Sequence, residues 1–221
     1  MVVAAMMATV SANAQSGYYN TKHELGITIG AGAITEIAGG LSDFAELAIV
    51  ATATSAISGG AYTGSSSYGD EKYLPNISVE YYYHVSKAIA LGGFMAFNGL
   101  DRDVYGEWRN NESGHNSKTK IGEASRRNLS FVPTAKFDWL RKKYFGMYSK
   151  VGLGVSFMFE NQKDDGSNDG ADFKEVDKTS IIPNIQVSLL GLEGGSENFR
   201  GFVELGVGEQ GIVLAGLKYK F

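Results

Sequence analysis

The sequence predicts an all-β chain: an eight-stranded antiparallel up-and-down transmembrane β-barrel with a helical segment in its first external loop. Three observations predict it. Apolar residues recur at every second position in eight separate segments. Charged residues in those segments fall on the opposite parity, and there acids and bases balance. Short and long connections also alternate along the chain, as they do in membrane barrels with tight turns at one end and long loops at the other.

Taken in order, "HELGITIGAG" at 23–32 puts Leu25, Ile27, Ile29 and Ala31 on one face. "PNISVEYYYHVS" at 75–86 does the same with Ile77, Val79, Tyr81, Tyr83 and Val85, and after a turn near Lys87 come Ile89, Leu91, Gly93, Met95 and Phe97. Residues 128–139 give Leu129, Phe131, Pro133, Ala135, Phe137 and Trp139. "RKKY" then turns the chain into Phe145, Met147, Ser149, Val151, Leu153, Val155, Phe157 and Phe159. Residues 180–192 contribute Ile181, Pro183, Ile185, Val187, Leu189 and Gly191. "EGGSEN" leads to Phe199, Gly201, Val203, Leu205 and Val207, and the chain finishes on Val213, Ala215, Leu217, Tyr219 and Phe221. Pro133 and Pro183 each remove a ladder hydrogen bond, so a bulge or local edge is expected at both.

The other parity carries Glu24, Glu80, Asp138, Glu160 and Glu204 against Lys136, Lys150, Arg200, Lys218 and Lys220, with Asn76, Tyr82, His84, Asn128 and Gln186 among them. A water-soluble sandwich or lipocalin-like barrel would show this face to solvent and would not need its charges to balance. A membrane barrel turns it inward, where an unpaired charge costs several kcal/mol. The balance favours the second arrangement. Within it, Glu24 should face Lys220 across the closing seam, and Glu80 and Glu204 should neutralise Lys136, Lys150 and Lys218. An eight-stranded barrel is just wide enough for side chains to fill it, so this network reads as a packed core rather than an ion path. Trp139, Tyr144, Phe145 and Phe199 fall near the short-turn end, where an aromatic girdle would sit.

Composition agrees. Gly at 29 of 221 residues is well above the usual share of about 7 %, and 12 Tyr and 12 Phe stand against only 3 Pro, a β-rich balance. A net charge of −4 gives no reason to expect nucleic acid. With no cysteine, disulfides, thiolate metal sites and cysteine lipidation are excluded. No run of 18 apolar residues is present to form a spanning helix, whereas a spanning strand needs only about 9–11 residues. Residues 1–14, with the small-x-small site Ala12-Asn13-Ala14, read as an export signal whose basic front is cut short, or else as a buried apolar segment; residues 15–221 form the barrel domain.

The segments "FDWLRKKYFGMYSKVGLGV" and "NFRGFVELGVGEQGIVLAGLKYKF" resemble small, mostly uncharacterised Gram-negative outer-membrane β-barrel proteins, and the layout is similar to OmpA- and OmpX-type barrels. The resemblance covers about residues 22–221. Val213, Ala215, Leu217, Tyr219 and the terminal aromatic Phe221 match the C-terminal assembly signal of that group. The resemblance implies residence in the bacterial outer membrane and insertion by the barrel-assembly machinery, and by itself points to no reaction; the even strand count puts both termini on the periplasmic side, and no cofactor is expected.

Three loops carry what function the sequence hints at. In the first, Ile34, Ile37, Leu41, Phe44, Ala48 and Ala51 recur at helical spacing, with Ser42 as a cap. That helix (34–58) is read as packing over the barrel mouth or against the other loops; the sharper reading makes it a lid or gate over a small apolar ligand, or a contact for a partner or an outer-leaflet lipid. The second loop, 99–127, mixes charges with Tyr105, Trp108 and Arg109, a composition suited to recognition. The third contains Asp165, Asp169 and Glu175, an incomplete imitation of a calcium loop with Val176 where the closing Glu belongs, so no metal is assigned. The histidines, His23, His84 and His115, stand at the base, inside and in a loop, and no nucleophile–base–orienter set suggests an enzyme. The leading expectation is therefore a non-enzymatic barrel bearing external loops. A small-molecule binding or passage barrel comes second and a membrane-embedded enzyme third.

Overall fold

A computed structural model of the chain describes residues 21–33, 62–110, 116–164 and 176–221. Eight strands run in order: β1 (His23–Ala31), β2 (Tyr62–His84), β3 (Ile89–Asn110), β4 (Asn116–Arg141), β5 (Phe145–Asp164), β6 (Val176–Gly195), β7 (Phe199–Gly208) and β8 (Val213–Lys220). Each pairs antiparallel with its sequence neighbours, and β1 closes on β8 to complete a barrel. The seam runs in unbroken register from Glu24↔Lys220 to Ala31↔Val213. At its foot the Lys22 and His23 N–H groups donate to the Phe221 carbonyl at 3.1 and 2.9 Å, so both ends of the described chain meet at one rim. The export segment 1–14, the helix expected at 34–58 and the loop holding Asp165, Asp169 and Glu175 lie outside the described residues.

Alternation sets the sidedness. Ile29, Ile77, Phe97 and Leu129, neighbours in consecutive strands, all show 38–53 % of their surface, and Leu153 and Leu189 show 70 and 67 %. The residues between them point into the barrel: Glu24, Glu80, Lys136, Lys150, Arg200, Glu204, Lys218 and Lys220 are all buried. Among the described residues, the apolar side chains within are few, with one small cluster of Phe94, Ala96 and Val132 and others such as Phe202 and Leu214 set among the charges. The usual order of a globular core is thus reversed.

Where β2 and β3 pair at Tyr82↔Gly92, the strands lie so close that a Cβ on Gly92 would stand 1.9 Å from the Tyr81 carbonyl oxygen and 2.8 Å from Tyr82 Cα. Both are backbone atoms and cannot rotate away. Gly92→Ala is therefore expected to destabilise the barrel by about 1–3 kcal/mol, measured as a lower urea midpoint.

Several expectations need correction. The loop expected at 99–127 is largely strand: β3 and β4 stay paired as far as Arg109↔Asn116. Above the apolar band the outward face turns polar and the buried face mixes Arg102 and Arg126 with Val104 and Ile121, so the ladder continues where apolar alternation has vanished from the sequence. Neither Pro133 nor Pro183 causes a register shift. The β4–β5 ladder runs Phe131↔Val155, skips Val132 and Pro133, and resumes at Thr134↔Gly152, while Pro183 stays paired with Val155. Gly93 opposite Pro133 leaves room for the ring. The bulges fall elsewhere. One places Trp139 as an extra residue in β4 between Asp138 and Leu140; another places Leu189 as an extra residue in β6 between Ser188 and Leu190. Each extra residue inverts the parity of the remainder of its strand. Gly191 is accordingly buried rather than outward, and Glu193, which strict alternation would face outward, is also buried. Ser149, opposite the Leu189 bulge, is buried as well.

Candidate functional site: a charged lumen closed by an inward turn

The lumen is built in two layers. Towards the rim where the termini meet, the carboxylates of Glu24, Glu80, Asp138, Glu193 and Glu204 share the interior with Lys136, Lys150, Lys218, Lys220 and Arg200, and Arg141 is buried at the rim itself on the Thr21 carbonyl. Strand pairing brings them from every strand except β3, so each charge finds partners across the barrel. Lys150 Nζ lies 3.0 Å from Glu80 and 2.8 Å from Glu204. Lys136 lies 2.6 Å from Glu24 and 3.6 Å from Asp138. Lys218 reaches Glu193 at 3.2 Å, with Glu24 at 3.9 Å and Glu80 at 4.0 Å. Glu24 sits 3.0 Å from Lys220, its register partner, and Lys220 also bonds to Glu193.

The partners differ in part from those the sequence suggested. Glu80 and Glu204 together hold Lys150, but Lys136 turns to Glu24, and Lys218 is closest to the overlooked Glu193. Tyr148 links the groups further: its hydroxyl donates to Glu204 at 2.6 Å and accepts from Lys218 at 3.2 Å. Its ring lies 4.2 Å from Lys136 Nζ and 4.3 Å from Lys218 Nζ, within reach of a cation–π attraction. His84 stands between Glu24 at 2.6 Å and Asp138 at 3.3 Å. Arg200 does double duty. It bonds Glu193 at 2.6 Å and donates to the Lys142 and Lys143 carbonyls at 2.8 and 2.7 Å, tying two turns together.

The second layer is amide- and hydroxyl-rich, and its centre is a turn. Between β7 and β8, residues 209–210 fold into the lumen, where Glu209 and Gln210 are fully buried. Gly208 and Gly211 flank them at φ +148° and +113°, backbone geometry that L side chains rarely adopt. A Cβ on either would strike a carbonyl oxygen, that of Ile185 at 2.3 Å or of Ala31 at 2.5 Å. The Glu209 carboxylate accepts from Asn98 Nδ2 at 3.1 Å, Ser130 Oγ at 2.8 Å and Asn184 Nδ2 at 2.8 Å, and its backbone carbonyl accepts from Asn76. The Gln210 N–H donates to Gln186 Oε1 at 2.9 Å, and its side-chain amide donates to Ser78 at 2.8 Å. Neither residue stands out in the sequence as more than a short external turn; the Gly-Glu-Gln-Gly frame around them was the available signal.

Outside, the Val213, Ala215, Leu217, Tyr219 and Phe221 row faces away from the barrel. Phe221 stacks on His23 with centroids 5.2 Å apart, and the His23 ring also bonds the Tyr81 hydroxyl at 2.8 Å, so aromatics join β8, β1 and β2 at the seam. Tyr144, Phe145 and Phe199 are exposed near that rim, while the bulged Trp139 is half-buried. At the opposite mouth, a polar cavity of about 280 Å³ is lined by Lys72, Asp101, Arg102, Asp103, Glu123 and Lys163 among others. Lys120 beside it bonds Asp103 and Glu123 at 2.8 and 2.7 Å, which raises its pKa above the usual lysine value. Among the described residues, no three His, Asp or Glu side chains are grouped to hold a metal ion. Comparison with protein-family models and with curated proteins returns no match to the chain.

Proposed function

We propose that the chain is a non-enzymatic integral protein of a bacterial outer membrane, a barrel with a packed polar interior whose external hairpins serve surface interaction or envelope maintenance. The observation that carries the reading is the reversed sidedness. Aliphatic and aromatic side chains cover the outer wall while lysines, arginine and carboxylates are buried within. In water that wall would be a large apolar patch with no stable exposed state. In hydrocarbon it is the expected surface, and closure of the sheet satisfies the backbone that lipid cannot. From Val213 to Phe221 the row is as long as one crossing of a roughly 25 Å apolar band requires.

On this reading the termini are periplasmic, the 1–14 segment directs export, and the barrel-assembly machinery inserts the chain using the outward row from Val213 to Phe221. The polar stretches of β2 to β6 stand outside the membrane, and no nucleic acid is involved. Extraction tests the address. The protein should stay with the envelope through salt and alkaline washes, require detergent for release, and migrate differently on gels before and after boiling. Release by salt alone would refute it. The filled lumen predicts no steady conductance in a planar bilayer above that of the lipid; a sizeable ohmic current would favour a passage role instead.

A further inference from the structure

The upper layer of the lumen has the chemistry of a receptor, and the chain itself occupies it. Three side-chain donors from β3, β4 and β6 converge on the two carboxylate oxygens of Glu209. They are held in place in turn. Asn128 donates to Asn98 Oδ1 at 2.6 Å, Ser156 pairs with Ser130 at 2.6 Å and with Asn184, and Asn184 Oδ1 accepts the Ile185 N–H at 2.7 Å. These supporting bonds come from the wall strands and not from the turn. The occupant is held differently. It is one short turn between two glycines in left-handed geometry, entering from the external mouth.

We propose that Asn98, Ser130 and Asn184 form a carboxylate-binding site that the β7–β8 turn fills with the chain's own Glu209, and that a small carboxylate entering from the external mouth binds there when that side chain is absent or withdrawn. The inference rests on the barrel's interior and not on its membrane address, so it is tested in purified, detergent-solubilised protein. Glu209→Ala removes the occupant and leaves polar groups unsatisfied, which should shift the unfolding equilibrium by about tenfold or more. Formate or acetate should reverse most of that shift, saturating on the order of millimolar, while acetamide and chloride at equal concentration do not, and the unsubstituted protein should respond to none of them. Equal recovery with acetamide or chloride, no recovery with acetate, or the same response in the unsubstituted protein would overturn the proposal.

If Glu209→Ala fails to fold, a polarity exchange keeps the question open to measurement. Asn184→Asp and Glu209→Gln should each lower the refolded yield. Their combination should recover it, because the new amide donates to the new carboxylate. A double variant no better than the worse single one would equally count against the site.

Discussion

Replacing Lys150 by Met is expected to destabilise the folded barrel by about 3–5 kcal/mol, the usual cost of removing one member from a buried ionic cluster. Lys150 is the closest cation to both Glu80 and Glu204, at 3.0 and 2.8 Å. Without it Glu80 keeps Lys218 only at 4.0 Å, and Glu204 keeps the Tyr148 hydroxyl. Two carboxylates then share what little positive charge remains, in surroundings that water does not reach. The variant separates a cost of unpaired charge from a cost of lost packing, because Met conserves most of the lysine's length. Combining Lys150→Met with Glu80→Gln and Glu204→Gln removes the orphaned charges and should restore most of the loss. Urea unfolding of the protein folded into lipid vesicles gives both numbers; a single variant within about 0.5 kcal/mol of the parent would mean that the cluster is not closed to solvent.

On the outer wall the expected effect is opposite in logic. Ile27 stands at the middle of the seam, opposite Leu217 and Val79, and shows 54 % of its surface. Substituting Arg at such an exposed site in a water-soluble protein changes stability by no more than about 0.5 kcal/mol. Facing the centre of a bilayer it should cost about 2–4 kcal/mol. Tyr73, 62 % exposed but above the apolar band, supplies the control: Tyr73→Arg should fall within about 0.5 kcal/mol of the parent. Equal, small effects at the two positions would contradict the membrane reading.

Strand number, order and sidedness were legible because a two-residue period marks a wall with unlike faces. Legibility failed where that contrast failed. The outer extensions of β3 and β4 look like loop because their outward face carries Asp101, Asp103 and Glu123 while their buried face mixes Arg102 and Arg126 with Val104 and Ile121, so no apolar period marks them. Glu193 was lost because Leu189 adds one residue to β6 and reverses everything after it, and a leucine next to a leucine gives no hint of which is surplus. The spacing of the last two apolar segments leaves Glu209 and Gln210 only a short turn, but the direction of that turn is set by two backbone torsions and by donors on distant strands. The pairing of charges was legible at the seam, where Glu24 and Lys220 are register partners. It was not legible where long lysine stems choose among acids on several walls.

Strand lengths leave the rim uneven. β7, β8 and β1 contain 10, 8 and 9 residues, whereas β2 to β6 contain 20 to 26. Among the described residues the opening is therefore a tall curved screen facing a low sill, and the inward turn sits at the sill. Above that sill, among the described residues, β2 before Asn76 pairs only with β3 and β6 before Gln186 pairs only with β5, so the screen ends in two strand edges although the barrel below it has none.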